Sequence, residues 1–348
     1  MSDTAASAPR PPSKPGNGDR HQRVARGRRR ALRIVLTSLA AAGLLAGAVA
    51  AGGVLIVNHL ANDIGRVPVS FARLTSVQQA NYRQSASGSM TVLITGNGIG
   101  PTGDISGTVP NSGLLMLLHD NNNHVMGGVV SIPPMTIVNI PGHGRQPIQN
   151  ALRYGGATLL VTTVEQLTNV QIDHYARINF YHVANVVNTI GGVNVLLPDT
   201  VTSFGTTFYR GINHLNGVNA LKYARQPSLT EEGRVLRQQS LIRAVLSKLA
   251  NQKLLSNPLT MMRVLDAITR MLTVDSNFTS GELATLADEL KNMQAKHGTF
   301  VTAPTTRIGG GVFLQQPQSR QLWAAVRYDS IAAFAARYPY TVTPISVP

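Results

Sequence analysis

The sequence predicts a layered α/β domain, a mixed sheet flanked by helices, carried behind an N-terminal transmembrane helix. Three observations predict it. Apolar runs of strand length occupy residues 90–95, 114–119 and 125–132. They are continuous rather than alternating, as strands covered on both faces require. Further along, strand-like runs alternate with segments whose apolar residues recur at helical spacing, the pattern of an α/β layered domain. Finally, the 24 residues 34–57 carry no charge and directly follow a run of arginines.

In chain order, residues 1–33 hold nine Lys and Arg against Asp3 and Asp19. They account for much of the net charge of +15. Rich in Pro, Ser and Gly, they cannot bury a core and are expected to form a disordered basic cytoplasmic tail. Such a run can grip nucleic acid, but a solvated tail touching anionic headgroups suits its position better. Residues 34–57 exceed the roughly 20 needed to cross a bilayer. Arg28, Arg29, Arg30 and Arg33 at their N-terminal end keep the tail inside and export everything after about residue 58. A cleaved signal peptide is a second reading, since Ala48-Val49-Ala50 resembles a cleavage site. A buried core helix is a third. The apolar run continues past Ala50 to Val57, which favours the anchor. With no cysteine, disulfides and thiolate metal sites are excluded.

Residues 58–88 read as a linker, ordered around Val67-Pro68-Val69. The first strand ends in Gly96-Asn97-Gly98, and Asp120-Asn-Asn-Asn123 is a turn between the second and third. Residues 157–167 take helical spacing through Leu160, Val161, Val164 and Leu167. A strand at 172–178, a helix at 180–190 stopped by Gly191-Gly192, and a strand at 193–197 follow. Ser228-Leu-Thr-Glu231 has the form of a capping box, opening a helix to about Ala250. Two amphipathic helices are expected at 257–272 and 280–291, then strands from His297 and a closing helix at 322–336. The expected domain spans 89–275, with 276–348 an extension packed on it.

Arg225, Arg234 and Arg237 fall within thirteen positions. Arginine presents a rigid fork of donors that fits phosphate oxygens and stays charged at any working pH. Arg234, Arg237, Gln238 and Leu241 share one helical face. In a domain sparse in charge, this is the pattern of a pyrophosphate grip. The plain alternative is salt bridging, Arg237 to Glu231 or Glu232 across one turn.

Five stretches follow one another in a recognisable order: Gly155-Gly156, Val170-Gln-Ile-Asp-His-Tyr175, Gly191-Gly-Val-Asn-Val195, Leu215 to Gln226, and Gly233-Arg-Val-Leu-Arg-Gln-Gln239. Over residues 67–275 the chain resembles the LytR-CpsA-Psr family, single anchor included. The resemblance implies an exported, membrane-anchored α/β domain with a tunnel for a polyprenyl chain. It implies transfer of a glycopolymer phosphate from a polyprenyl pyrophosphate carrier to peptidoglycan, assisted by Mg²⁺. Arg225 and Arg234 then match the family's catalytic arginines. Arg225, Arg234, Arg237, Gln238 and Gln239 match its substrate-binding positions, and Glu232 lies near a family aspartate. The expected partners are a polyprenyl phosphate or pyrophosphate, cell-wall glycopolymer or peptidoglycan, and the membrane. Nucleic acid is not among them, since the folded part lies outside, away from DNA.

The departures are selective. The family's Arg-Ser-Asp reads Asn111-Ser112-Gly113 here, its Ile-Pro-Arg-Asp reads Ile132-Pro133-Pro134-Met135, and its Gly-Ser-Asp reads Gly96-Asn97-Gly98. Its Lys-Ile-Asn stretch reads Ile148-Gln149-Asn150, without the lysine. Two arginines and three aspartates are thereby lost, so no metal ligand is assigned. Removing one preorganised charge from such a site costs about a hundred- to a thousandfold in rate. The expectation is a degenerate member that binds the lipid-linked polymer without turning it over; the alternative is a working transferase. His119, His124, His174 and His182 lack metal-ligand spacing and read as structural or surface histidines.

Overall fold

The strand Leu114–Asp120 is buried at every position, because helices cover both faces of the sheet it crosses. The computed structural model describes residues 64–71, 88–97, 113–121, 126–226, 229–249, 258–283, 285–286 and 299–347. Its strands are β1 (Gly65–Val67), β2 (Met90–Asn97), β3 (Leu114–Asp120), β4 (Met126–Ser131), β5 (Ile137–Ile140), β6 (Gly144–Pro147), β7 (His174–Asn179), β8 (Val193–Leu197), β9 (Val201–Ser203), β10 (Thr206–Phe208), β11 (Gly211–Leu215), β12 (Leu272–Asp275), β13 (Phe300–Thr302), β14 (Thr305–Ile308) and β15 (Gly311–Leu314). Seven form the central sheet in the order β1-β12-β7-β2-β3-β4-β13. The sheet is mixed: β1 with β12, β2 with β7 and β4 with β13 are parallel, and the other neighbours antiparallel.

The two-residue side-chain period splits this sheet into two cores. Val92, Leu114, Met116, Leu118 and Val129 face one way. Against them pack α2 (Phe180–Thr189), α3 (Gly217–Ala224), α4 (Glu231–Leu249) and α5 (Pro258–Met271), through Val187, Tyr223, Leu241 and Val264. Leu93, Leu115, Leu117 and Val130 face the other way. There α1 (Asn150–Thr168), α6 (Gln318–Arg327) and α7 (Ile331–Arg337) contribute Leu160, Val164, Trp323 and Phe334. Each such side chain, fully buried, is worth about 1.5–3 kcal/mol.

Several elements differ from the sequence reading. The helix expected at 157–167 begins at Asn150 and bends at Gly155 and Gly156, whose backbone is non-helical. The closing helix is two helices, because Asp329 between them adopts φ 52°. The helix expected at 257–272 gives way at Leu272 to β12, which the sequence reading did not assign; β12 pairs β1 on one side and β7 on the other. Thr230 rather than Ser228 caps α4, its Oγ1 accepting from the Gly233 N–H at 3.1 Å; Ser228 lies outside the described residues. The helix expected at 280–291 is present at its described residues, 280–283 and 285–286, and is opened by a capping box: the Thr279 N–H donates to Glu282 Oε2 at 2.8 Å, and the Glu282 N–H to Thr279 Oγ1 at 3.2 Å. Among the described residues no helix is long and apolar enough to cross a membrane. The run at 34–57, the tail before it and most of the linker lie outside them.

Candidate functional site

One edge of the sheet gathers the loops that carry the family-like motifs. Asn97 at the end of β2 is in register with Asn179 at the end of β7, and Gly96 with Leu114 at the start of β3. Met116 is in register with Ser131, so β4 ends at the same edge and leads into Ile132-Pro133-Pro134-Met135. α2 starts there, its first turn capped by Asn179 Oδ1 accepting from the Tyr181 N–H at 3.0 Å.

α3 packs closely on α2. A Cβ at Gly217 would lie 2.1 Å from the Ala184 carbonyl oxygen, so only glycine permits the approach. The Gly217 N–H donates to Asn188 Oδ1 at 2.8 Å. The last turn of α3 then meets α4, where the Arg237 guanidinium lies over the Tyr223 ring, 4.6 Å from its centroid. It also donates to the Tyr223 carbonyl at 3.3 Å. Two residues on, Gln239 turns to the sheet and donates through Nε2 to Ser131 Oγ, and to the Val301 carbonyl at 3.2 Å. Through Tyr223, Arg237 and Gln239, α3 and α4 are tied to the end of β4.

The five candidate residues therefore occupy two depths. Arg225 is the C-cap of α3, 7% exposed, with its guanidinium 5.9 Å from the Phe204 ring centroid. Arg234 is half-buried on the first turns of α4. Arg237, Gln238 and Gln239 are all but fully buried. Burial pulls the Arg237 pKa below its usual value, partly offset by Tyr223. Burial pushes the Tyr223 hydroxyl up, opposed by Ser240 and by the nearby Arg237 and Arg243 guanidinium groups. Of the two partners the salt-bridge reading gave Arg237, Glu232 pairs with Arg307 of β14 at 3.2 Å, and the Glu231 side chain lies outside the described residues.

Sequence reasoning missed three neighbours. Tyr223 stands in the Lys-Tyr-Ala-Arg stretch and was passed over. Phe204 occupies the tip of the β9–β10 hairpin, where Phe204-Gly205 is a turn of unusual composition. Arg307, 75 residues from Glu232, had no local signal.

A divalent cation does not fit the described residues. Gly113, Pro134 and Met135 offer no side-chain oxygen at the strand ends. Among the described residues no three His, Asp or Glu side chains converge on a metal-sized position. Gly98, Asp104, Asn111 and Ser112 lie outside them. At the opposite edge, His119 joins Thr91 Oγ1 at 3.0 Å and Asp329 Oδ1 at 2.7 Å. His174 there meets Asp275 Oδ2 at 3.1 Å and stacks on Phe278.

The model of the LytR_cpsA_psr family matches residues 62–327. The chain belongs to the LytR-CpsA-Psr family. The cell wall biosynthesis protein LcpA of Corynebacterium glutamicum is 30% identical over 168 residues, 47% of this chain and 32% of that protein. The polyisoprenyl-teichoic acid–peptidoglycan teichoic acid transferase TagU of Enterococcus faecalis is 29% identical over 198 residues, 56% of this chain and 61% of that protein. The alignments thus span a third to three fifths of these relatives. Among solved members of the family, the LytR-Csp2A-Psr enzyme from Actinomyces oris has a TM-score of 0.60 at 19% identity, covering 76% of this chain and 96% of that one. TagT bound to LI-WTA has 0.55 at 23%, covering 75% and 98%. These likenesses show the family fold: a central mixed sheet with helices on both sides.

Proposed function

We propose that this protein serves cell-wall assembly by binding a polyprenyl pyrophosphate-linked glycopolymer at the arginine-bearing edge, and that it holds this ligand without turning it over. Residues 34–57 anchor it, residues 1–33 remain cytoplasmic, and the domain at 89–275 with its extension at 276–348 works outside the membrane. Arg225 and Arg234 bind the pyrophosphate oxygens; Arg237, Gln238 and Gln239 hold α3 and α4 at the spacing that lets them do so. The observation that carries this reading is the contrast at one sheet edge. Arg225 and Arg234 stand on α3 and α4, the helices tied to the end of β4 through Arg237 and Gln239, while Gly113, Pro134 and Met135 supply none of the charges that a metal-assisted phosphoryl transfer needs.

A second reading, transfer to peptidoglycan, is supported by the name of the TagU relative. The two separate in one assay. The full chain in detergent is incubated with a polyprenyl pyrophosphate glycan, Mg²⁺ and peptidoglycan fragments. Bound ligand with no polyprenyl phosphate released above a no-protein control is expected; sustained release establishes the transferase.

A further inference from the structure

Phe204 sits where a phenylalanine is sterically disfavoured. β9 and β10 are joined by the two residues Phe204 and Gly205, with Ser203 paired to Thr206. Their φ values are 48° and 71°. Two central residues at positive φ mark a type I′ hairpin turn, which favours Asn, Asp and Gly. A bulky aromatic in that region is an outlier. Such conformations persist only where the surroundings hold them, and they cluster at ligand clamps.

Here the surroundings do hold it. Ser203 Oγ donates to the Lys222 carbonyl at 2.9 Å, and Lys222 Nζ donates to Thr206 Oγ1 at 2.7 Å. Phe208, fully buried, packs edge-on against Tyr223 with centroids 6.2 Å apart. The hairpin is thus fixed to α3, and Phe208 does its apolar packing. Phe204 is left 45% exposed. Its ring centroid lies 5.9 Å from the guanidinium carbon of Arg225, a residue only 7% exposed.

We propose that Phe204 is a specificity residue of the grip, its ring packing on the first sugar attached to the pyrophosphate that Arg225 binds. This rests on the function proposed above. A phosphate held by Arg225 would have the more exposed Phe204 ring beside it. The part of the ligand that remains on the water side is the glycan, since the prenyl chain is driven to apolar surroundings. An aromatic face offers a rigid apolar platform to the C–H face of a sugar.

The test uses the full chain in detergent and two probes, farnesyl pyrophosphate and the same compound carrying one N-acetylglucosamine on its terminal phosphate. Phe204→Asn suits the turn, and Phe204→Leu keeps apolar bulk without the ring. Both are expected to weaken the sugar-bearing probe about three- to tenfold and leave the bare probe within about twofold. The thermal midpoint of Phe204→Asn should equal or exceed that of the wild type. Equal losses on both probes would show a ring that merely props Arg225, and no loss on the sugar-bearing probe would show a ring that touches no ligand; either overturns the proposal. A wild type that binds neither probe removes the proposed function itself, whereas a binding wild type with unaffected variants removes only the role of Phe204.

Discussion

The Arg237 guanidinium lies over the Tyr223 ring at 4.6 Å and donates to the carbonyl of that same residue at 3.3 Å. One side chain thereby fixes both the backbone and the ring of the last turn of α3 against α4. Arg225 follows two residues later, so its position depends on this contact.

The consequence for stability is specific. Arg237→Ala leaves a buried carbonyl and ring uncovered and is expected to cost about 3 kcal/mol. Arg237→Met, which keeps the volume and removes the charge, should cost much less, because uncharged replacements of buried ionic groups are often nearly neutral. Urea unfolding of both variants checks this. Equal losses in the two would assign the stabilisation to the charge rather than to packing.

Glu165 gives a pH dependence of its own. It is buried in α1, and burial pushes its pKa up to about 7, against an Ile172 N–H that donates to Oε1 at 3.0 Å and with a further upward push from Asp173. Between its unperturbed value of 4.5 and about 7 the folded state holds the proton more tightly than the unfolded one. Stability therefore falls as pH rises across that window. Glu165→Gln, a neutral isostere, is expected to match the wild type near pH 4.5 and exceed it by about 2–3 kcal/mol at pH 8. Unfolding curves at the two pH values measure the difference.

The opposite edge has a second titrating cluster. Burial works against a charged His174, but Asp275 and Glu282 outweigh it and raise its pKa above 6.5. Burial likewise disfavours ionised Asp275 and Glu282, yet hydrogen bonds from His174, Tyr175 and Asn277 to the first, and from Thr279 to the second, bring both below their ordinary 3.8 and 4.5. The carboxylates contribute their full stabilisation above those ordinary values, and the imidazolium contributes its own below 6.5, losing it as pH rises through the higher folded value. The cluster therefore stabilises most between about pH 4.5 and 6.5. His174→Gln should lose more thermal midpoint at pH 5.5 than at pH 9. A loss independent of pH would reduce His174 to its stack on Phe278.

Ligand binding should not depend on a divalent cation, because among the described residues the strand ends lack its carboxylates and Glu232 is engaged by Arg307. Affinity for farnesyl pyrophosphate, measured with Mg²⁺ and then with a chelator, is expected to agree within about twofold. A tenfold loss on chelation would reveal ligands among residues outside the described set.

Much of the central sheet was legible because β3 and its neighbours are continuous apolar runs, and burial on both faces needs nothing subtler. β12 was not legible: it begins at Leu272, the last residue of the amphipathic pattern of 257–272, with no break between them, and pairing with β1 and β7 makes it a strand. The arginine cluster could be read from its stretch of chain, but its two depths could not. Helical spacing puts Arg234 and Arg237 on one face, yet Tyr223 covers the second and leaves the first half-exposed. The pairing of Glu232 with Arg307 spans 75 residues, a separation at which no local pattern carries information.

The most direct test of the proposed grip is equilibrium binding of a polyprenyl pyrophosphate glycan to the full chain and to the Arg225→Ala, Arg234→Ala double variant. Each charge-assisted contact to phosphate is worth about 1.5–3 kcal/mol. The double variant should therefore bind at least about a hundredfold more weakly than the wild type while unfolding at a similar temperature. Equal affinity in the two proteins would contradict an arginine grip at this edge of the sheet.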